Sequence, residues 1–335
     1  MLAHFAHHLL NGLPVPLLPL IRDNFALDYT QAGLVISAFS LAYGISQLPG
    51  GWLADRISPR LLITIGIGGV ALAGILVGLS QTYVMMLIFL VLMGVFGGSY
   101  HPAAAQMISA SVEPKNRGRA FGFHMMGSSG SLFLAPLIAA AIATVWGWRG
   151  SFISLAVPTA VFGIIFYVLL GRRAETSKAQ QKITERGDEA PSTPGRLRRL
   201  VAFMILGIFT HAVIHSTIVF IPLFMVDHFG VGEETAAAFL AIIHSAGLWA
   251  SPLGGYLSDR LGKVPVMLTV CLIAGPVIYL LNWVPYGPVI GALLLFIGML
   301  VYIRMPVSEA YIVSHTPERH RSTILGIYYF SNMEA

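Results

Sequence analysis

Charge is scarce in this sequence. Only 10% of its 335 residues are Asp, Glu, Lys or Arg, against about 25% in an ordinary soluble domain. A soluble fold of this size would lack the polar surface to cover itself, so soluble enzymes and nucleic-acid binders are excluded. Cysteine is nearly absent. The single Cys271 lies in an apolar run, so no intrachain disulfide framework exists. No G-x-x-x-x-G-K-[ST] loop appears, so ATP is not the expected energy source. H-E-x-x-H and CxxC are missing too, and no resident metal, cofactor or enzymatic activity is expected. The first twenty residues have neither a basic n-region nor a small-residue cleavage site and are not read as a signal peptide.

What is present is apolar. Hydrophobic residues make up 56% of the chain and the mean hydropathy is +0.76. A membrane-crossing helix needs about 20 apolar residues. Ten such stretches stand out, at roughly 1–21, 30–52, 61–80, 83–110, 120–145, 148–170, 200–226, 233–255, 264–284 and 286–312, with an eleventh starting near 322. An all-α integral membrane protein follows. One connection is long and polar: residues 171–199 read as a mobile linker between an N-terminal half, 1–170, and a C-terminal half, 200–335. With the N-terminus in the cytoplasm, the loops on that side hold 17 of the 20 Lys and Arg. The net charge of +5 therefore reports the positive-inside bias rather than nucleic-acid binding.

The halves repeat. At an offset of 204 residues, Gly51 meets Gly255, Asp55 meets Asp259, Arg56 meets Arg260, Pro102 meets Pro306, Arg117 meets Arg321, Gly122 meets Gly326 and His7 meets His211. Parallel repeats of six helices are how many secondary transporters are built, with the binding site between them. The arithmetic also implies a twelve-helix protein clipped slightly at its front and truncated within its eleventh helix.

The strongest motif is Gly51-Trp-Leu-Ala-Asp55-Arg56-Ile-Ser-Pro-Arg60, which recurs as Gly255-Tyr-Leu-Ser-Asp259-Arg260-Leu-Gly262-Lys263. Glycine lets two helices approach closely, and the carboxylate can hold a helix N-terminus and a nearby arginine. On these residues the chain resembles the major facilitator superfamily, whose signature loop reads G-x-x-x-D-R/K-x-G-x-R/K. Ser58 stands where the first copy would carry glycine, and the second copy is short of one base. The resemblance implies that this loop gates the cytoplasmic side. A finer likeness runs from residue 4 to about 60. There His4, His7, His8, Pro19, Phe25, Gln31, Gly33 and Gln47, with Gly97-Gly98-Ser-Tyr-His101-Pro102 further on, are similar to the fosmidomycin-resistance-type exporters of that superfamily. His8 stands where those exporters tend to carry an acid.

Polar residues inside spans are costly and usually functional. Here they gather on four spans: His4, His7, His8 and Asn11 on the first, His101 on the fourth, His211 and His215 on the seventh, Arg304 and Glu309 on the tenth. The resemblance implies that these four helices line the central cavity. Residues four apart share a helix face, so His4 with His8, His7 with Asn11 and His211 with His215 form polar stripes. Arg304 and Glu309 point about 140° apart and each calls for a partner on another helix. His124 and His244 are read as structural. The bland reading of any one histidine is an interhelical hydrogen bonder. The histidine spacing also echoes membrane di-iron desaturases, but a third box is absent and the repeat has no place there.

A secondary transporter of the major facilitator type is the expectation: a monomer in the cell (inner) membrane, N-terminus cytoplasmic, using alternating access. The resemblance implies proton-coupled export, an antiporter of the drug-resistance kind acting on a small anionic or drug-like molecule. Alternatives are proton-coupled uptake of a small organic anion or metabolite, and a non-transporting sensor on the same scaffold. Arg304 would hold the anion, His211 and His215 would add hydrogen bonds, and Glu309 or His8 would take the proton.

Overall fold

A computed structural model describes residues 1–181, 195–231 and 233–332. Among these residues every regular element is helical. In chain order they are α1 (Leu2–Asn11), α2 (Leu18–Phe25), α3 (Tyr29–Ala54), α4 (Pro59–Leu79), α5 (Tyr83–Gly98), α6 (Tyr100–Ser111), α7 (Arg117–Gln181), α8 (Arg196–Phe229), α9 (Glu233–Ser245), α10 (Gly247–Leu261), α11 (Lys263–Tyr279), α12 (Pro288–His315) and α13 (Arg321–Asn332). Local signals set several starts. Asp28 and Gln31 form a reciprocal capping box at α3, Thr82 accepts from Met85 N–H at α5, and Pro59 opens α4 where its missing N–H costs nothing.

Seven stretches among the described residues are long and apolar enough to cross a membrane. The difference from the ten expected has physical causes. The first span, expected as one helix over 1–21, is two. Pro14 and Pro16 lack backbone donors and interrupt it just after Gly12, leaving α1 and α2 each too short to cross alone. The spans expected at 120–145 and 148–170 are continuous in α7, whose 65 residues would extend about 98 Å as one straight rod. They turn at Gly147, where φ is 65° and ψ 179°, a conformation open to glycine. The span expected at 83–110 is found as one stretch over Tyr83–Ser111 with a local turn at Ser99 between α5 and α6, whereas the one at 233–255 divides at Ala246, between α9 and α10. Of the expected linker, residues 182–194 lie outside the described residues; α7 extends into it as far as Gln181 and α8 begins inside it at Arg196.

The chain sorts into two compact units that do not follow chain order. One comprises Met1, 108–133 and 193–315, the other 2–107, 134–192 and 316–335. The second has a core of Leu10, Tyr43, Val70, Met93, Trp148 and Phe152. In the first, α12 packs on α9, α10 and α11.

Small residues set the helix crossings, as expected where lipid removes the hydrophobic drive between helices. A Cβ on Gly50 would meet Ser99 Cα, and one on Gly254 would meet Ile303 Cα. Gly94 lies against the Phe39 carbonyl, Gly298 against that of Ile243. Gly51 lies against the Ser322 carbonyl and Gly255 against that of Gly118; Gly326 faces the Gln47 carbonyl and Gly122 that of Ser251. In each pair both partners differ by 204 positions.

Candidate functional site

Three sets of residues come together, each inside one unit. The first is aromatic and histidine-rich. α1 places His4 and His8 one turn apart, with Nε2 atoms 3.1 Å from each other. His7 and Asn11 are likewise one turn apart. The Asn11 amide nitrogen lies 3.1 Å from His7 Nε2, and the Tyr43 hydroxyl of α3 lies 3.0 Å from the same atom. With Asn11 donating, that nitrogen accepts and the ring proton sits on Nδ1. After the turn at Ser99, α6 begins at Tyr100 and brings His101 to the cluster. Its ring centroid is 5.0 Å from His4, 5.4 Å from His8 and 5.4 Å from Tyr329 of α13. Tyr100 stacks on His7 at 4.2 Å and on His4 at 5.7 Å. His4 and His7 are fully buried, and His101 and Asn11 nearly so.

The second set surrounds a buried cation. Arg304 on α12 is 1% exposed. It lies about 24 and 17 Å from the two ends of its helix, which is long and apolar enough to cross a membrane. Its Nη2 donates to His211 Nδ1 at 2.8 Å, across to α8. Guanidinium is only a donor, so this places the His211 proton on Nε2. Nη1 lies 3.4 Å from the Gly207 carbonyl. His215 stacks on His211 at 5.1 Å. Glu309 is buried on the same helix as Arg304. His244 pairs through Nδ1 with the Tyr302 hydroxyl at 2.8 Å, and His124 is buried.

The third set is the repeated loop. Asp55 receives Ser322 N–H on Oδ1 at 2.8 Å, and Thr323 N–H and hydroxyl on Oδ2 at 2.8 and 2.6 Å. Asp259 receives Gly118 N–H on Oδ1 at 2.9 Å and Arg119 N–H on Oδ2 at 2.8 Å. Each carboxylate therefore caps another helix, α13 or α7, where backbone donors have no intrahelical acceptor. The donors, like the carboxylates, lie 204 positions apart. The motif's bases act elsewhere. Arg56 lies over the Trp52 ring at 3.9 Å and donates to the Trp52 carbonyl. Arg60 donates to the Tyr167 carbonyl through Nε and Nη2. Arg260 donates to the Tyr256 hydroxyl. Lys263 opens α11. Arg119 Nε lies 3.9 Å from Asp259 Oδ2.

Sequence reasoning missed the tyrosines of the first two sets; the expectation that a motif carboxylate can hold a helix N-terminus is met at α13 and α7. The match of Arg117 with Arg321 and Gly122 with Gly326 already pointed to those helix starts.

Apolar helices long enough to cross a bilayer, with ionisable side chains buried at mid-span, define a polytopic integral membrane protein. The chain belongs to the Major Facilitator Superfamily, whose model matches residues 1–333, and it is therefore a transporter-family protein. It is 35% identical over 153 residues to the probable L-galactonate transporter of Escherichia coli, a match covering 46% of this chain and 34% of that protein. It is 28% identical over 260 residues to the probable sulfoacetate transporter of Cupriavidus necator, covering 73% of this chain and 60% of that one. The chain thus matches less than two thirds of the length of these curated relatives. Among solved structures it superposes on the proton:xylose symporter XylE, bound to 6-bromo-6-deoxy-D-glucose, with a TM-score of 0.77. That match has 18% identity and covers 99% of this chain and 85% of that one; at that identity the likeness shows the fold.

Proposed function

We propose that the protein is a proton-coupled secondary transporter of a small organic anion, working by alternating access. The observation that carries this reading is Arg304, a guanidinium buried at mid-span and hydrogen-bonded to His211. A cation in a low-dielectric setting favours anions and disfavours lipophilic cations. The names of two relatives, for L-galactonate and sulfoacetate, support an organic acid as cargo. In this reading Arg304 holds the anion, His211 and His215 add hydrogen bonds, and Glu309 or His8 carries the proton. His4, His7, His101 and Asn11 are the polar set of the other unit. Gly51, Asp55, Arg56 and Arg60, with Gly255, Asp259, Arg260 and Lys263, form the cytoplasmic gate. The eight glycine contacts and two carboxylate caps that recur at one offset support two parallel repeats. The basic-residue count supports a cytoplasmic N-terminus in the cell membrane. The likeness of residues 4 to 60 to fosmidomycin-type exporters favours export; the relatives' names favour carboxylate or sulfonate cargo over a lipophilic drug.

The test is transport of a panel of radiolabelled anions and cations by the full-length protein, in right-side-out and inverted vesicles with an imposed pH gradient. Arg304→Gln abolishes anion transport, and Arg304→Lys retains part because charge partly suffices. A preference for a lipophilic cation, undiminished in Arg304→Gln, overturns the reading.

A further inference from the structure

The histidines of the first set belong to the second unit, whereas Arg304 and its partners belong to the first. His4, His8 and His101 each offer a ring nitrogen, and the three nitrogens lie within 4.8 Å of one another. We propose that these three imidazoles form a binding site for one divalent first-row transition metal ion of the zinc class, with a fourth coordination position open to water or an anionic oxygen.

The geometry supports this on four counts. First, His4 and His8 are four apart on α1, the spacing that puts two imidazoles on one helix face toward a single ion. Their Nε2 atoms are already 3.1 Å apart. Tetrahedral zinc with bonds of about 2.0–2.1 Å holds its ligand nitrogens about 3.4 Å from each other. Second, the widest pair must close by about 1.4 Å from 4.8 Å, within reach of a ring rotation. Third, His7 Nε2 is engaged by Asn11 and Tyr43, and Tyr100 stacks on both His7 and His4. Outer partners of this kind fix ring planes before an ion arrives. Fourth, His101 lies on α6, so the third ligand comes from a different element.

Loading changes the hydrogen bonding in a defined way. The nitrogen that donates between His4 and His8 must pass its proton to the other ring nitrogen, so that both Nε2 lone pairs face the ion. Three neutral ligands leave the ion its full double charge, which is why the open position takes a water or an anionic oxygen.

The experiment uses the whole chain in lipid nanodiscs, with any histidine tag removed, and Co²⁺ as a spectroscopic probe. The expected result is one Co²⁺ per chain with the intense visible bands of tetrahedral coordination, displaced by Zn²⁺. His4→Gln, His8→Gln and His101→Gln each weaken binding more than 100-fold, beyond the 10- to 100-fold typical of an outer-shell change. His320→Gln, at an exposed position, leaves it unchanged. Thermal midpoints measured without metal show whether each variant folds, and Zn²⁺ raises the midpoint of wild type but of none of the three. Absence of a tetrahedral Co²⁺ spectrum in wild type overturns the proposal. So does a spectrum that survives in folded His101→Gln. Neither outcome bears on Arg304 or on the anion it would hold.

Discussion

Replacing Asp55 by Asn removes a charge and turns half of an acceptor into a donor. The carboxylate holds three bonds: Ser322 N–H on Oδ1, and Thr323 N–H and hydroxyl on Oδ2. An amide has one acceptor oxygen. Whichever way it flips, its NH₂ faces at least one N–H, and that bond is lost. A hydrogen bond to a charged group is worth about 1.5–3 kcal/mol, and a negative charge at a helix N-terminus adds about 0.3–1 kcal/mol. Asp55 is half-buried, so the lower ends apply and the loss is about 2 kcal/mol, roughly 30-fold in the opening equilibrium of the first turn of α13. Amide hydrogen exchange reads this directly, because the N–H groups of a first helical turn have no acceptor within their own helix. In nanodiscs, Asp55→Asn speeds exchange at Ser322 and Thr323 about 30-fold and leaves Gly118 and Arg119 at wild-type rates. Asp259→Asn does the reverse. The two sites share no partner, so the double variant shows both effects added. In the full-length protein, Asp55→Asn slows transport while substrate affinity stays near wild type. Unchanged exchange at Ser322 and Thr323 refutes the cap; transport at wild-type rates by both single variants refutes the gate.

Gly51→Ala and Gly255→Ala lower the thermal midpoint, since the new methyl meets backbone carbonyls that cannot move aside, at a cost of about 1–3 kcal/mol each. Gly33→Ala and Gly68→Ala, where a Cβ meets nothing within 4 Å, leave it unchanged or raise it by the ~1 kcal/mol helix preference of alanine; a uniform effect at all four sites refutes close crossing as the reason for the first two. Tyr302→Phe strands His244 and costs about 1–3 kcal/mol in a thermal unfolding scan; no change refutes that bond's contribution. In a Cys271→Ala background, Ser58→Cys reacts with an impermeant thiol reagent only from the cytoplasmic side and Asp28→Cys only from outside; the opposite pattern inverts the orientation.

The parts of the fold legible in sequence are those that repeat or that depend on spacing along one helix. The i, i+4 rule placed His4 beside His8, His7 beside Asn11 and His211 beside His215, and each pair is in contact. The expectation that Arg304 needs a partner on another helix is met by His211. Hidden from the sequence was everything set by a break in a helix. Pro14 and Pro16 were read as part of one span, although their missing donors divide it. The turn at Ser99 keeps helical φ and ψ and stands three residues before Pro102, whose ring removes a donor to the Gly98 carbonyl.

The loop motif was legible as a pattern but not as a set of contacts. Each carboxylate was expected to hold a helix N-terminus and also a nearby arginine. In the structure Arg56 and Arg60 stack on Trp52 and Tyr167 instead. An exposed ion pair contributes at most about 1 kcal/mol, whereas a guanidinium over an aromatic face gains a similar amount and can also donate to a carbonyl. The carboxylates are thereby left to backbone amides. Those amides could have been found by applying the 204-residue offset to the partners as well as to the motif. Gly118 with Ser322 and Arg119 with Thr323 are dissimilar pairs, and a comparison of side chains passes over them. A backbone N–H is the same group in every non-proline residue. A contact made to it can persist between two repeats after the side chains at those positions have diverged.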